Sequence, residues 1–182
     1  VGLWYGTEIL VKFSPKTKLK KGDYQVYGGA IKHNIDQYFS ESFNKTIHVS
    51  ALLAYSKENL SFDFVDIQSA YGSLGISSLG SDINTYQSQI SVSKTYNKFE
   101  LILGTIFNIS DFKYKFDGEK GSIENIIPLQ DILNDRMKDL SKTKRNLMGE
   151  VSGRYQINNF FIQGTVAFGK FVNTNASIQY EF

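Results

Sequence analysis

Residues 173–182 read NTNASIQYEF. From Thr174 every second residue is uncharged and mostly apolar: Thr174, Ala176, Ile178, Tyr180 and Phe182. The residues between are Asn175, Ser177, Gln179 and Glu181. Successive side chains of a strand point to opposite faces, so the stretch reads as a strand with one apolar and one polar face. It stops on a large aromatic, where most domains trail into a few disordered polar residues.

The same period of two recurs in seven further segments. Their apolar faces are Tyr5, Thr7, Ile9, Val11 and Phe13; Tyr24 to His33 in a less regular register; Ile47, Val49, Ala51, Leu53 and Tyr55; Tyr86, Ser88, Ile90 and Val92; Phe99 to Ile109; Leu147 to Ile157; and Phe160 to Phe168. The opposite faces are polar, with Glu8, Lys12, His48, Ser50, Gln87, Gln89, Ser91, Ser93, Glu100, Asn108, Glu150, Ser152, Arg154, Gln163 and Thr165 among them. Alternation suits a soluble sandwich, whose polar face meets water. It equally suits a membrane barrel, whose polar face meets the lumen and whose apolar face meets lipid.

The links separate the two. TYNK and INN are tight, whereas the stretches after Tyr55 and after Ile109 each run to about thirty residues. Counting back from a periplasmic C-terminus puts the tight links inside and both long ones outside, together with the lysine-rich SPKTKLKKGD of residues 14–23. Short turns on one side and long loops on the other is the outer-membrane arrangement. Aromatics near the ends of the apolar faces (Tyr5, Phe13, Tyr55, Tyr86, Phe99, Tyr155, Phe160, Phe168, Tyr180, Phe182) read as interfacial girdles.

Composition agrees. The chain has 182 residues, eleven tyrosines, fourteen phenylalanines, two prolines and no cysteine, which is a β-rich balance without a disulfide or thiolate-metal framework. A net charge of +2 gives no electrostatic case for nucleic acid. No run of about 18 apolar residues is present, so a transmembrane helix is excluded, and a mean hydropathy of −0.25 is compatible with spanning strands. No signal peptide is visible. The start at VGLWYG, already strand-like, is expected of a mature or trimmed piece of something longer.

The ending ASIQYEF resembles the terminal-strand signal of bacterial outer-membrane proteins, which implies recognition by the barrel-assembly machinery through Ile178, Tyr180 and Phe182 and closure against the first strand. The stretches YGTEILVKFSPK, YGGAIKHNIDQYF, SQISVSKTYNKFELILGTIFNISDFKYKF and GKFVNTNASIQYEF resemble a family of uncharacterised outer-membrane proteins from Bacteroidetes bacteria. They cover the framework strands and about half the chain, and the inserts 56–84 and 114–143 depart from the family. The resemblance implies the fold and the location and carries no activity.

Candidate chemistry is thin. His48 and Ser50 share a strand face, as base and nucleophile do in outer-membrane phospholipases, but they lie on the expected lumen side and lack the surrounding motif. A lumenal hydrogen-bond network is the better reading. Two histidines preclude a multi-histidine metal site. Glu100 and Glu150, set against Lys12 and Arg154, suggest a charge-paired interior. The glycine-rich YGSLGISSLGSD lacks the features of a phosphate loop. IPLQDILNDRMKDL reads as a helix with Pro128 in its first turn and an apolar stripe of Leu129, Ile132, Leu133, Met137 and Leu140. That stripe would cap the barrel mouth or contact a partner.

The expectation is therefore an all-β, antiparallel, up-and-down transmembrane β-barrel of about eight strands, or the C-terminal part of a larger barrel. It forms one domain, 1–182, with long external inserts at 56–84 and 110–143 and a short helix in an external loop. The expected protein is non-enzymatic, a structural or accessory subunit of an outer-membrane assembly. The alternatives are a porin or transporter for small or apolar solutes and, remotely, a hydrolase using His48 and Ser50. Expected partners are outer-membrane lipid, the barrel-assembly machinery and other outer-membrane proteins, with no cofactor and no nucleic acid.

Overall fold

A computed structural model describes residues 6–39, 47–65, 68–119, 123 and 126–180. The long strands are β1 (Thr7–Leu19), β2 (Gly22–Asn34), β3 (Ile47–Asp63), β6 (Ser78–Tyr96), β7 (Phe99–Asp117), β8 (Lys142–Ile157), β9 (Phe160–Phe168) and β10 (Val172–Tyr180). They form one eight-stranded sheet in the order β1-β2-β3-β6-β7-β8-β9-β10, every neighbour antiparallel. The sheet curls into a half-barrel, the expected up-and-down architecture. A two-stranded β4 (Gln68–Ser69) and β5 (Gly72–Ser73) and one helix, α1 (Leu129–Leu140), fill the two longest links on one end of the sheet.

Facing follows the alternation. Outward residues of one row across the sheet are Val49, Val92, Leu103, Val151 and Val166, each opposite the next. These outward side chains are exposed or half-buried: Val11 is 80% exposed, Leu53 68% and Ile178 74%. Among the described residues only Val26, Ile76, Ile106, Met148 and Ala167 are buried apolar side chains, while Ser93 and Ser152 are buried polar ones.

The apolar belt has two aromatic borders. On one side Tyr55 pairs with Tyr86, rings 5.1 Å apart, and on the other lie Tyr96, Phe99 and Tyr155, then Phe160 with Tyr180, rings 4.9 Å apart. From Tyr86 to Tyr96 the strand rises about 33 Å at ~3.3 Å per residue. A strand tilt of about 40° would make the belt about 25 Å tall.

Beyond the Tyr55–Tyr86 row the same strands continue and their sidedness reverses. The outward residues become Lys57, Asn59, Asp82, Asn84, Asp111, Lys113 and Lys115, while Leu60, Ile83, Phe112 and Phe116 turn inward, on the face where Val26 is buried. The strands therefore run through 56–63, 78–84 and 110–117, which the sequence pattern assigns to inserts. The apolar alternation stops there because the outward partner changes from apolar to charged, whereas the backbone ladder does not stop. The long strands end at Asp63 and Asp117 and resume at Ser78 and Lys142.

Residues 14–23, expected as an external loop, form the tip of the β1–β2 hairpin. Pro15 cannot donate to a ladder, and the register shifts between Ser14 and Thr17; an edge strand tolerates both. Lys20 and Lys21 make the turn, and Gly22 follows at φ 127°, where a Cβ would stand 1.8 Å from the Ser61 carbonyl oxygen. The β6–β7 and β8–β9 turns are the two residues Asn97–Lys98 and Asn158–Asn159. Asn97 and Asn158 take φ of 55° and 54°, the left-handed region that asparagine enters more readily than most residues. The expected sorting of links by length holds only in part, since the turns 20–21 and 169–171 share an end with the two longest links. Closure of β10 against β1 is absent from the described pairings, and each of these strands pairs on one side only.

Candidate functional site

The sheet folds around a polar concave face. Two cavities of about 520 and 630 Å³ lie along it and share Leu10, Gln89, Glu150, Gln163 and Gln179 as walls. Leu10 belongs to β1 and Gln179 to β10, so the curl brings both sheet edges to one hollow.

Inward polar residues bond along and across the strands. Gln87 Nε2 donates to Gln89 Oε1 at 3.2 Å, and Gln89 Nε2 to Ser91 Oγ at 3.1 Å and Glu150 Oε1 at 3.3 Å. Ser152 Oγ lies 2.7 Å from Thr165 Oγ1 and 3.5 Å from Glu150 Oε1. Asn108 and Asn146 stand opposite each other, and the Oδ1 of each is buried without a hydrogen-bond partner.

Three acidic residues of this face have cationic partners. Arg154 Nη2 is 2.7 Å from Glu100 Oε2. Lys32 is 3.8 Å from Glu8, and Lys12 is 3.1 Å from Glu58. The charge-paired interior expected from sequence thus holds for Glu100 with Arg154, while Lys12 takes Glu58 as its partner. Glu150, the fourth member of the expected set, has no cation within ion-pair distance among the described residues.

His48 and Ser50 line the first cavity, on the face expected for them. His48 Nδ1 lies 2.7 Å from Asp36 Oδ2, in the turn after β2. No hydrogen bond joins His48 to Ser50, so the nucleophile–base contact of a hydrolase is missing. Asp36 gives no sequence signal as a partner, because it lies in an irregular link. Among the described residues no group of three or more acidic or histidine side chains is arranged to hold a metal.

Helix α1 lies against β7. β8 pairs with β7 only as far as Phe112, which leaves 113–117 without a strand on that side. Asn134 fills the gap: its Oδ1 accepts from the Phe116 N–H at 2.7 Å and its Nδ2 donates to the Phe116 carbonyl at 3.0 Å. Gln130 Nε2 reaches the Gly75 and Gly118 carbonyls at 2.6 and 3.1 Å. Of the apolar stripe, Leu129, Leu133 and Met137 are half-buried, and Ile132 and Leu140 stay exposed. Pro128 is the N-cap, one residue before the first turn, with φ −71°. In the C-terminal signal Ile178 and Tyr180 point outward on β10, and Phe182 lies outside the described residues.

The chain matches the model of a family of unknown function, DUF6588, over residues 1–182, and it belongs to that family. No curated protein and no solved structure matches it.

Proposed function

We propose that the chain is an integral β-barrel protein of the bacterial outer membrane, of the Bacteroidetes type its sequence resembles, with its C-terminus periplasmic. The reversal of sidedness at the Tyr55–Tyr86 row carries this reading. An apolar belt about 25 Å tall, outward-facing and bordered by aromatics, fits a bilayer. Charged outward residues beyond it fit water. A soluble sandwich would keep one sidedness along the whole strand.

Its role in this reading is non-enzymatic, as a structural or accessory subunit of an outer-membrane assembly. α1 supports it, since Ile132 and Leu140 remain exposed on an element outside the belt. A one-sided β10 ending in the aromatic signal suits handover by the barrel-assembly machinery through strand pairing. The polar interior hollow favours a second reading, a passage for small polar solutes. Leu10, Ile106, Met148, Ala167 and Phe171 in the walls of the second cavity keep apolar solutes within that reading.

Cell fractionation tests the location. The chain should sediment with the outer membrane and resist extraction by high salt. Recovery as a detergent-free soluble monomer would overturn it.

A further inference from the structure

We propose that Glu150 is a binding site for small hydrated cations within the concave interior; this rests on that face being water-filled. Both hydrogen bonds to the carboxylate go to Oε1, from Gln89 Nε2 and Ser152 Oγ. Among the described residues Oε2 has no hydrogen-bond partner, and it is not one of the fully buried unpartnered atoms. Glu150 is also the one carboxylate common to both cavities. The other inward carboxylates, Glu8, Glu58 and Glu100, each have a lysine or arginine within 4 Å, so their charge is already answered.

An uncompensated carboxylate at membrane depth needs a counter-charge. Among the described residues no lysine or arginine stands within ion-pair distance of it, and the hollow has room for a cation that keeps part of its water. A single carboxylate with amide and hydroxyl neighbours does not chelate, because tight sites for hard cations use six or more oxygen ligands. Its chemistry is that of an acidic side chain lining a pore: weak, exchangeable attraction that enriches cations and disfavours anions.

Competition against a water-soluble carbodiimide tests the site on the full chain in detergent, read by peptide mass spectrometry. Carbodiimide modification of Glu150 should fall roughly threefold or more in about 10 mM Mg²⁺, as for a site of millimolar affinity. Glu100, held by Arg154, is the control in the same tube and should be unaffected by Mg²⁺. Equal Mg²⁺ response at both residues, or no modification of Glu150 without Mg²⁺, overturns the proposal. In planar bilayers under a KCl gradient, Glu150→Gln should move the reversal potential toward zero relative to the unsubstituted chain. An unmoved potential overturns the site. A chain that does not conduct at all overturns only the passage reading, and the labelling result then decides the site by itself.

Discussion

The belt and the extension beyond it are built from the same strands and opposite chemistry. Between Tyr86 and Tyr96, β6 turns Ile90 and Val92 outward and Gln87, Gln89 and Ser91 inward. Between Ser78 and Tyr86 it turns Asp82 and Asn84 outward and Ile83 inward. The ladder with β3 and β7 runs through both halves without a break. Backbone pairing satisfies its own donors and acceptors wherever it occurs, so it is indifferent to what surrounds it. Only the facing of side chains records the surroundings, and it switches at one row.

The sharpest break of that comparison is a charge in the belt. Leu103→Arg, in the middle row, should cost about 2–4 kcal/mol in a refolding titration into lipid vesicles. Lys113→Ala, outward on the same strand but beyond the belt, should stay within about 0.5 kcal/mol. Gln89→Arg, inward within the belt, should cost much less than Leu103→Arg. Equal costs at positions 103 and 113 would mean that the two halves share one environment.

The extension has a weak point of its own. Asn134→Ala removes both partners of the Phe116 peptide, whose strand edge has no neighbouring β8 there. The loss should be about 1–3 kcal/mol, the cost of orphaned backbone groups. It should register as faster amide exchange at Phe116 while exchange at Leu103 is unchanged. Uniform acceleration along β7 would show that belt and extension open as one unit.

A smaller effect belongs to the turns at the opposite border. Asn97→Ala puts a β-carbon residue less tolerant of positive φ into the β6–β7 turn. The penalty should be about 1 kcal/mol, read from the same vesicle titration, and Asn97→Gly should recover most of it. Recovery failing would mean that the asparagine side chain, rather than its backbone angle, holds the turn.

The belt half was legible in the sequence and the extension was not. Leu101, Leu103 and Phe107 on one face, with Glu100 and Asn108 bounding the other, fix β7 and its outward face despite apolar Ile102 and Ile106. From Ser110 onward, Asp111, Lys113 and Lys115 take the outward positions, and a reading keyed to apolar alternation ends the strand there. That Glu100, Glu150, Lys12 and Arg154 share the inward face was legible, and the structure pairs Glu100 with Arg154 within that set. The isolation of Glu150 was not, because it depends on Lys12 reaching Glu58 instead, a choice set by the β1–β2–β3 register. The His48–Asp36 contact was hidden for a different reason: one partner sits in a link whose path no periodicity specifies.

Ile132 offers the smallest expected change in stability and the most direct test of what the extension is for. It is 47% exposed on α1, whereas Met137 is half-buried against the protein itself. Ile132→Ser should alter stability by no more than about 0.5 kcal/mol, as for other exposed positions. Met137→Ser should cost more, because it removes buried apolar surface. Their effects on association should be ordered the other way. If the exposed part of the stripe contacts another outer-membrane protein, Ile132→Ser loosens that complex in mild-detergent purification while the belt still assembles. A complex that survives Ile132→Ser and dissolves only with Met137→Ser would make α1 a brace for β7 and nothing more, because the second substitution acts by loosening the helix from its own sheet.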